Sequence, residues 1–390
     1  MSRPLLILLI ILLSVFGPIS TDMYLSGLPD MVLEFGTTES IMNMSLYLFM
    51  LSFTFSILLL GPVSDKYGRK KILITSMIVY TVSCILCCFS PNVEIFIILR
   101  MIEAIGAGGA ITIAFALVKD CFSGREMSGI LSLVAVLGIL GPILSPVIGT
   151  VLINAIDWKA TFWAPGIIAV FCTALGTMIP NDIPIERMEG KVSEAVKLVF
   201  RLMKERNFFD FTIMNTTCSG SQLAFIAVSS YVFLNDYGLD RTGYSIALAV
   251  SCIIGLVIAE VIKRIGLNNK NIVRILFSLS IASFLMMLLL PQFGWIWFML
   301  SITPNAAACT VTRSFGFNIL MNNHDGDNGA VSSLLNFMTF LFAFIGMAMV
   351  SSFPSDKFVL GIATVMLLMT IVYAICWFDL KRQEPLKGME

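Results

Sequence analysis

Apolar runs of about twenty residues, long enough to cross a ~30 Å hydrocarbon core as helix, recur along the whole chain. Bounded by polar turns, they fall near 4–33, 41–62, 72–90, 95–118, 128–153, 160–179, 208–234, 243–263, 272–291, 294–319, 328–352 and 357–378. The strands of a membrane barrel would instead read as ~10-residue segments of alternating polarity. With 57% of the 390 residues hydrophobic, 13% charged and a mean hydropathy of +0.91, the chain is too apolar for a water-soluble domain. The sequence predicts an all-α polytopic membrane protein with twelve transmembrane helices in two six-helix halves, residues 1–179 and 208–379.

Residues 180–207, "PNDIPIERMEGKVSEAVKLVFRLMKERN", form the one polar stretch long enough to link two groups of six spans. Val192, Ala195, Val196, Val199, Leu202 and Met203 recur there at helical spacing, which predicts an amphipathic helix on the inner surface; a tether that merely matches the period is the alternative. With both termini inside, all but five of the 25 Lys and Arg lie on the cytoplasmic side. The exceptions are Lys159, Arg241 and Lys357 outside, and Arg100 and Arg313 within or at the end of spans. This bias places both ends, including the tail 380–390, in the cytoplasm. The zero net charge reflects segregated charges and gives no support to nucleic-acid binding.

The start, "MSRPLLILLIILLSVFG", has the basic and apolar parts of a secretory signal but no convincing small-x-small cleavage site, and it reads as the first span. The nine cysteines, including Cys84, Cys87 and Cys88, lie almost entirely in apolar spans and read as small buried hydrophobes, with no metal or disulfide framework. His324, in "NNHDGDN", reads as a solvated loop residue. An enzyme is disfavoured: there is no His/Cys/Asp metal spacing, no nucleophile with a base, no phosphate loop and no soluble catalytic domain. No cofactor is expected.

Charges inside the spans carry the functional signal. An Asp at mid-helix costs about 2.5–3.5 kcal/mol on insertion scales, and such residues usually face a bundle interior or a water-filled cavity. Asp22 either marks the end of the first span or lies inside it; Met23, Leu25, Leu28, Met31, Val32 and Phe35 continue the apolar pattern, with Gly17-Pro18 and Pro29 bending one long helix. Arg100, a few helical steps below the outer mouth of the fourth span, belongs at similar depth. Burial favours the neutral acid and a nearby cation the carboxylate, so an Asp held between them changes protonation with solvent access. Glu103 shares a helix face with Arg100 and is either a second titrating group or a local ion-pair partner. Tyr24, Asn43, Tyr47, Phe115, Asn215, Gln222 and Asn336 are polar or aromatic within spans and are candidates for lining a substrate cavity. Glu260, one turn before Lys263 and Arg264, reads as an interfacial ion-pair partner.

The loop "GPVSDKYGRKK" has Gly61, Asp65, Gly68, Arg69 and Lys70 at every position of G-x-x-x-D-x-x-G-R-[RK]. In this it resembles the major facilitator superfamily. In span four, "LRMIEAIGAGGA" is similar to the drug-antiporter pattern R-x-x-Q-G-x-G-x-[AG], with Glu103 for Gln and Ala104 for Gly. In span five, "GPILSPVIGT" resembles G-x-x-x-G-P-x-x-G-G, keeping Gly141, Pro146 and Gly149 but with Ser145 and Thr150 at two glycine positions. "TDMYLSGLP" resembles "TDMYLPALP" of the bicyclomycin and chloramphenicol resistance branch: Thr21, Asp22, Met23, Tyr24, Leu25, Leu28 and Pro29 are identical, and Ser26 and Gly27 differ. In the second half, only "GLVIAEVIKRIG" faintly echoes the Gly61 loop.

The resemblance implies alternating access about a central cavity, a cytoplasmic gate formed by Asp65 and Arg69 with Asp120, and a hinge-like fifth span. It also implies export of small hydrophobic antimicrobials in exchange for protons, from a bacterial inner membrane, by a chain working as a monomer. Export of an endogenous metabolite on the same fold, such as an amino acid or sugar derivative, is the alternative. The partners are then a small-molecule substrate and the lipid bilayer.

Overall fold

The computed structural model describes residues 2–180, 192–323 and 328–382; His324 and most of the tail lie outside them. The described residues are almost entirely helical, in two compact units, Met1–Val196 and Lys197–Glu390.

In the first unit the opening span, Arg3–Glu34, is broken into α1 (Arg3–Ser14), α2 (Phe16–Asp22), a 3-10 turn (Leu25–Gly27) and α3 (Leu28–Glu34). Proline explains both breaks. Pro18 lacks the N–H that would bond the Ser14 carbonyl and its ring crowds that carbonyl, while Pro29 sits in the first turn of α3, where no N–H is needed. Next come α4 (Glu39–Tyr67), α5 (Arg69–Cys88), α6 (Val93–Cys121), α7 (Gly124–Ala155) and α8 (Ala160–Thr177). Thr38 caps α4 and Asn92 caps α6, each side chain accepting from the backbone N–H three residues on. The α4 helix stops at Gly68, whose φ of +98° is open to glycine at little cost, and α5 starts at the next residue. Between Gly138 and Leu140, α7 bends by 46°; Pro142 leaves the Gly138 carbonyl without its helical donor.

Within the connecting segment, α9 (Val192–Leu202) is helical, as the spacing predicts, with Val199 and Leu202 buried. The second unit continues with α10 (Arg206–Tyr231), α11 (Arg241–Arg264), α12 (Asn269–Leu289), α13 (Trp295–Asn322), α14 (Asn328–Ser351) and α15 (Phe358–Leu380). A turn of π-helix, Val232–Asp236, extends α10.

Among the described residues, ten segments are long and apolar enough to cross a membrane by length and composition, and the bent α7 makes eleven. The twelfth expected span corresponds to α13, 28 residues long but made less apolar by Thr303, Pro304, Asn305, Thr310, Thr312 and Arg313. Large apolar side chains stand out from the helix flanks: Val151 is 63%, Ile167 66% and Ile375 63% exposed. Water would not tolerate such faces, whereas lipid tails match them.

Candidate functional site

The buried charges of the first unit converge where α6 meets the broken opening span. Arg100 is fully buried. Its Nη1 donates to Glu103 Oε2 at 2.8 Å, and its Nη2 donates to the Ser20 carbonyl at 2.7 Å. That carbonyl is among the last of α2, which a continuous helix would have bonded internally; here a guanidinium replaces the missing donor. Aromatic rings surround the cation, with its Cζ 4.3 Å from the Phe49 ring centroid, 4.5 Å from Tyr24 and 5.5 Å from Phe162. The Tyr24 hydroxyl shares a 3.1 Å hydrogen bond with Ser45. Tyr80 meets Ser20 Oγ at 2.7 Å, and Ser20 in turn donates to the Phe16 carbonyl at 2.6 Å.

Asp22 ends α2, two residues past the carbonyl that Arg100 holds, and is 8% exposed. It is buried, the second of the two placements that the sequence leaves open. Arg100 spends its charge on Glu103, so Glu103 stands as an ion-pair partner, and no ion pair to Asp22 is present among the described residues.

The bent helix α7 lies directly on the segment that carries Asp22. A Cβ on Gly149 would sit 1.7 Å from the Met23 carbonyl oxygen, and one on Gly141 would meet the Pro18 ring at 2.6 Å. Hydrogen at these positions is what permits the approach. Thr150 donates to Ser26 Oγ at 2.9 Å. Both are departures from the resembled motifs, and they meet each other: a proline at 26 would offer no hydroxyl and a glycine at 150 no donor. Ser145 is also buried.

The loop residues form a second charge cluster at the junction of α4 and α5. Arg69 donates through Nε to Asp120 Oδ2 at 2.8 Å, pairs through Nη1 with Asp65, and reaches Ser64 Oγ at 2.6 Å. Ser64 donates onward to the Gly61 carbonyl at 2.7 Å. Lys70 donates to the Ile179 carbonyl at 2.8 Å, just past the end of α8. The structure thus brings Asp120 to Asp65 and Arg69, across 51 positions from Arg69.

The cavity candidates divide. Tyr24 and Asn43 are buried within the first unit, Tyr24 as a wall of the Arg100 cluster and Asn43 with both amide atoms unbonded. Tyr47 is half-buried and Phe115 exposed. In the second unit, Asn215 and Gln222 share the face of α10 turned to α13, and Asn336 is exposed. Asn305 of α13 donates to the Cys218 carbonyl at 3.1 Å and to Gln222 Oε1 at 3.3 Å. Sequence reasoning missed Asn305, Ser20, Ser64 and Tyr80; the signal for Asn305 was an amide in mid-span beside Pro304. Glu260 pairs with Arg264 at 2.8 Å, as the spacing predicts.

A family model of the Major Facilitator Superfamily matches residues 10–347. The chain belongs to this superfamily. It is 24% identical over 380 residues to the MFS-type transporter YdgK of Bacillus subtilis (strain 168), covering 95% of this chain and 94% of YdgK. It is 26% identical over 265 residues to a chloramphenicol resistance protein of Pseudomonas aeruginosa, covering 66% and 61% of the two chains. The multidrug resistance protein MdtL of Shewanella sp. (strain ANA-3) is 24% identical over 311 residues, with 78% and 77% covered. Among solved structures, the nucleoside transporter NupG aligns with a TM-score of 0.72 at 14% identity, covering 97% of this chain and 99% of NupG. A D-xylose-proton symporter aligns at 0.71 and 14%, covering 96% and 97%. The protein is a multi-pass membrane transporter of small molecules and not an enzyme.

Proposed function

We propose that this transporter exports small hydrophobic antimicrobials of the chloramphenicol or bicyclomycin type in exchange for protons, by alternating access, from the inner membrane of a bacterium with both termini in the cytoplasm. One observation carries the coupling: Asp22 is the buried carboxylate of the first unit that has no ion-pair partner among the described residues, Glu103 being held by Arg100 and Asp65 and Asp120 by Arg69. A carboxylate with no counter-ion is free to trade its charge for a proton when solvent reaches it. In this reading Asp22 takes a proton from the outside as substrate leaves, and its release inside resets the protein. Arg100 and Glu103 hold the α2 terminus that presents Asp22, and α7 is the hinge that rests against it. Asp65, Arg69 and Asp120, with Gly61, Gly68 and Lys70, form the cytoplasmic gate. The chain works as a monomer, with protons as coupling ion and no cofactor. Each charge moved through 100 mV supplies about 2.3 kcal/mol, and each pH unit about 1.4 kcal/mol. The similarity to multidrug and chloramphenicol resistance proteins supports the substrate class.

The amides of Asn215, Gln222 and Asn305 favour a second reading, export of a polar endogenous metabolite such as an amino acid or sugar derivative. Proteoliposomes with an imposed pH gradient distinguish the two. Chloramphenicol-dependent proton flux, lost in Asp22→Asn with drug binding retained, is expected. Undiminished pH-driven transport by Asp22→Asn refutes the coupling role, and flux with metabolites alone moves the assignment to the second reading.

A further inference from the structure

We propose that a pocket of about 310 Å³ at the adjoining ends of α12 and α15 holds the headgroup of a phosphatidylethanolamine, with its ammonium on Asp356 and its phosphate on Lys357. The volume lies at the small end of the range for small-molecule sites. Met287 and Leu288 of α12, with Leu360 and Ala363 of α15, make apolar walls, and Gln292, Asp356 and Lys357 supply polar groups. Both charged residues belong to a 3-10 turn, Ser355–Lys357, that leads into α15. Pro354, with its fixed φ, precedes the turn, and its carbonyl accepts from the Lys357 N–H at 2.9 Å. Another wall is the 3-10 turn Pro291–Phe293, whose Pro291 carbonyl accepts from Tyr237 Oη at 2.8 Å. Turns tied down in this way set the shape of the pocket before anything enters it. Asp356 and Lys357 are exposed, and neither side chain has a partner among the described residues.

Charge and surroundings select the occupant. An anion beside a cation complements a zwitterion, whereas a purely anionic ligand would meet like charge at Asp356 and a purely cationic one at Lys357. The pocket also lies where apolar and polar surroundings meet. Leu285, Leu288, Leu289 and Leu360 stand exposed along the two helices, and Phe293, Trp295 and Trp297 stand exposed just after Gln292. Trp rings of this kind sit at headgroup level, and the exposed leucines offer a track for acyl chains. A zwitterion that carries such chains is a phospholipid. The ethanolamine ammonium has N–H donors for the Asp356 carboxylate, as a lysine ammonium would. The trimethylated ammonium of phosphatidylcholine has none, and phosphatidylglycerol has no cation. Charge-assisted hydrogen bonds are the strong ones, so the primary ammonium is preferred.

The test uses full-length protein in a neutral detergent, with dioleoyl phosphatidylethanolamine, phosphatidylcholine and phosphatidylglycerol titrated singly and bound lipid counted by native mass spectrometry. Retention of phosphatidylethanolamine roughly tenfold tighter than of either other lipid is expected, the effect of about one charge-assisted hydrogen bond. Asp356→Asn should erase the preference, and Lys357→Gln should weaken phosphatidylethanolamine several-fold. A phosphatidylethanolamine with a photoreactive acyl chain should label peptides that contain Leu288 or Leu360. Equal retention of all three lipids, wild-type retention by both variants, or labelling confined to other helices would each overturn the site. Glycerophosphoethanolamine, the headgroup without chains, should compete poorly; competition equal to that of the lipid would overturn the assignment to a phospholipid. Photolabelling of wild type decides the matter even if a variant fails to fold, and since binding is read without transport, its outcome is independent of the export reading.

Discussion

Glu103→Gln keeps the oxygen that accepts from Arg100 and removes the charge opposite a fully buried guanidinium. At 2.8 Å, with an effective dielectric constant of about 20, the lost Coulomb attraction is ~6 kcal/mol. The retained hydrogen bond, the Ser20 carbonyl and the Tyr24 and Phe49 faces offset part of it, so the net cost expected is the 3–5 kcal/mol typical of breaking one side of a buried pair. Arg100→Met should cost a similar amount by stranding the carboxylate. The double variant, with neither charge, should recover most of the loss, since apolar replacement of a whole buried pair is often neutral or stabilising by ~1–4 kcal/mol. Equilibrium unfolding in mixed micelles, followed by tryptophan fluorescence, gives all four corners of the cycle. Single variants within about 1 kcal/mol of wild type, or a double variant whose loss is the sum of the two, would refute the pairing as the reason both charges are tolerated.

Gly149→Ala drives a methyl into the Met23 backbone carbonyl, so α7 must shift; a loss of about 1–3 kcal/mol and reduced transport are expected, read by thermal stability and substrate efflux. Ser26→Ala and Thr150→Ala should each cost about 1 kcal/mol, and together little more than either alone, in a second unfolding cycle. Arg69→Gln removes the cation shared by Asp65 and Asp120; transport should fall at least several-fold, and an unchanged initial rate would remove this cluster from the gate.

Recurrent hydrophobicity made the helical class legible, because lipid demands a continuous apolar run and internally satisfied backbone. Even the break in the first span was marked by Pro18 and Pro29, since a missing N–H acts locally. The loop pattern named Asp65 and Arg69, and the resemblance added Asp120; the ion pairs that join them span up to 51 positions in sequence and needed the fold. Depth arguments put Asp22 and Arg100 at a similar level in the bilayer but left the role of Glu103 open, because helical spacing alone does not say which neighbour a guanidinium takes. Ser26 and Thr150 illustrate the limit best. Taken singly, each is a departure that weakens a motif; in the structure they are two ends of one hydrogen bond. Cavity residues were the least legible, since polarity within a span does not reveal which face is turned inward, and Tyr24 and Asn43 proved to be enclosed.

The Arg100–Glu103 pair, the Arg69 cluster and the Lys70 tie to Ile179 all lie within the first 196 residues. Every partner that these cations require has therefore been synthesised before the second unit begins. At ~5–20 residues per second, synthesis of the remaining half takes roughly 10–40 s, far longer than a helix needs to form. The growing chain can thus settle its most expensive charges in the bilayer early, and a substitution such as Glu103→Gln would burden biogenesis at the half-made stage, when no later segment can supply a replacement.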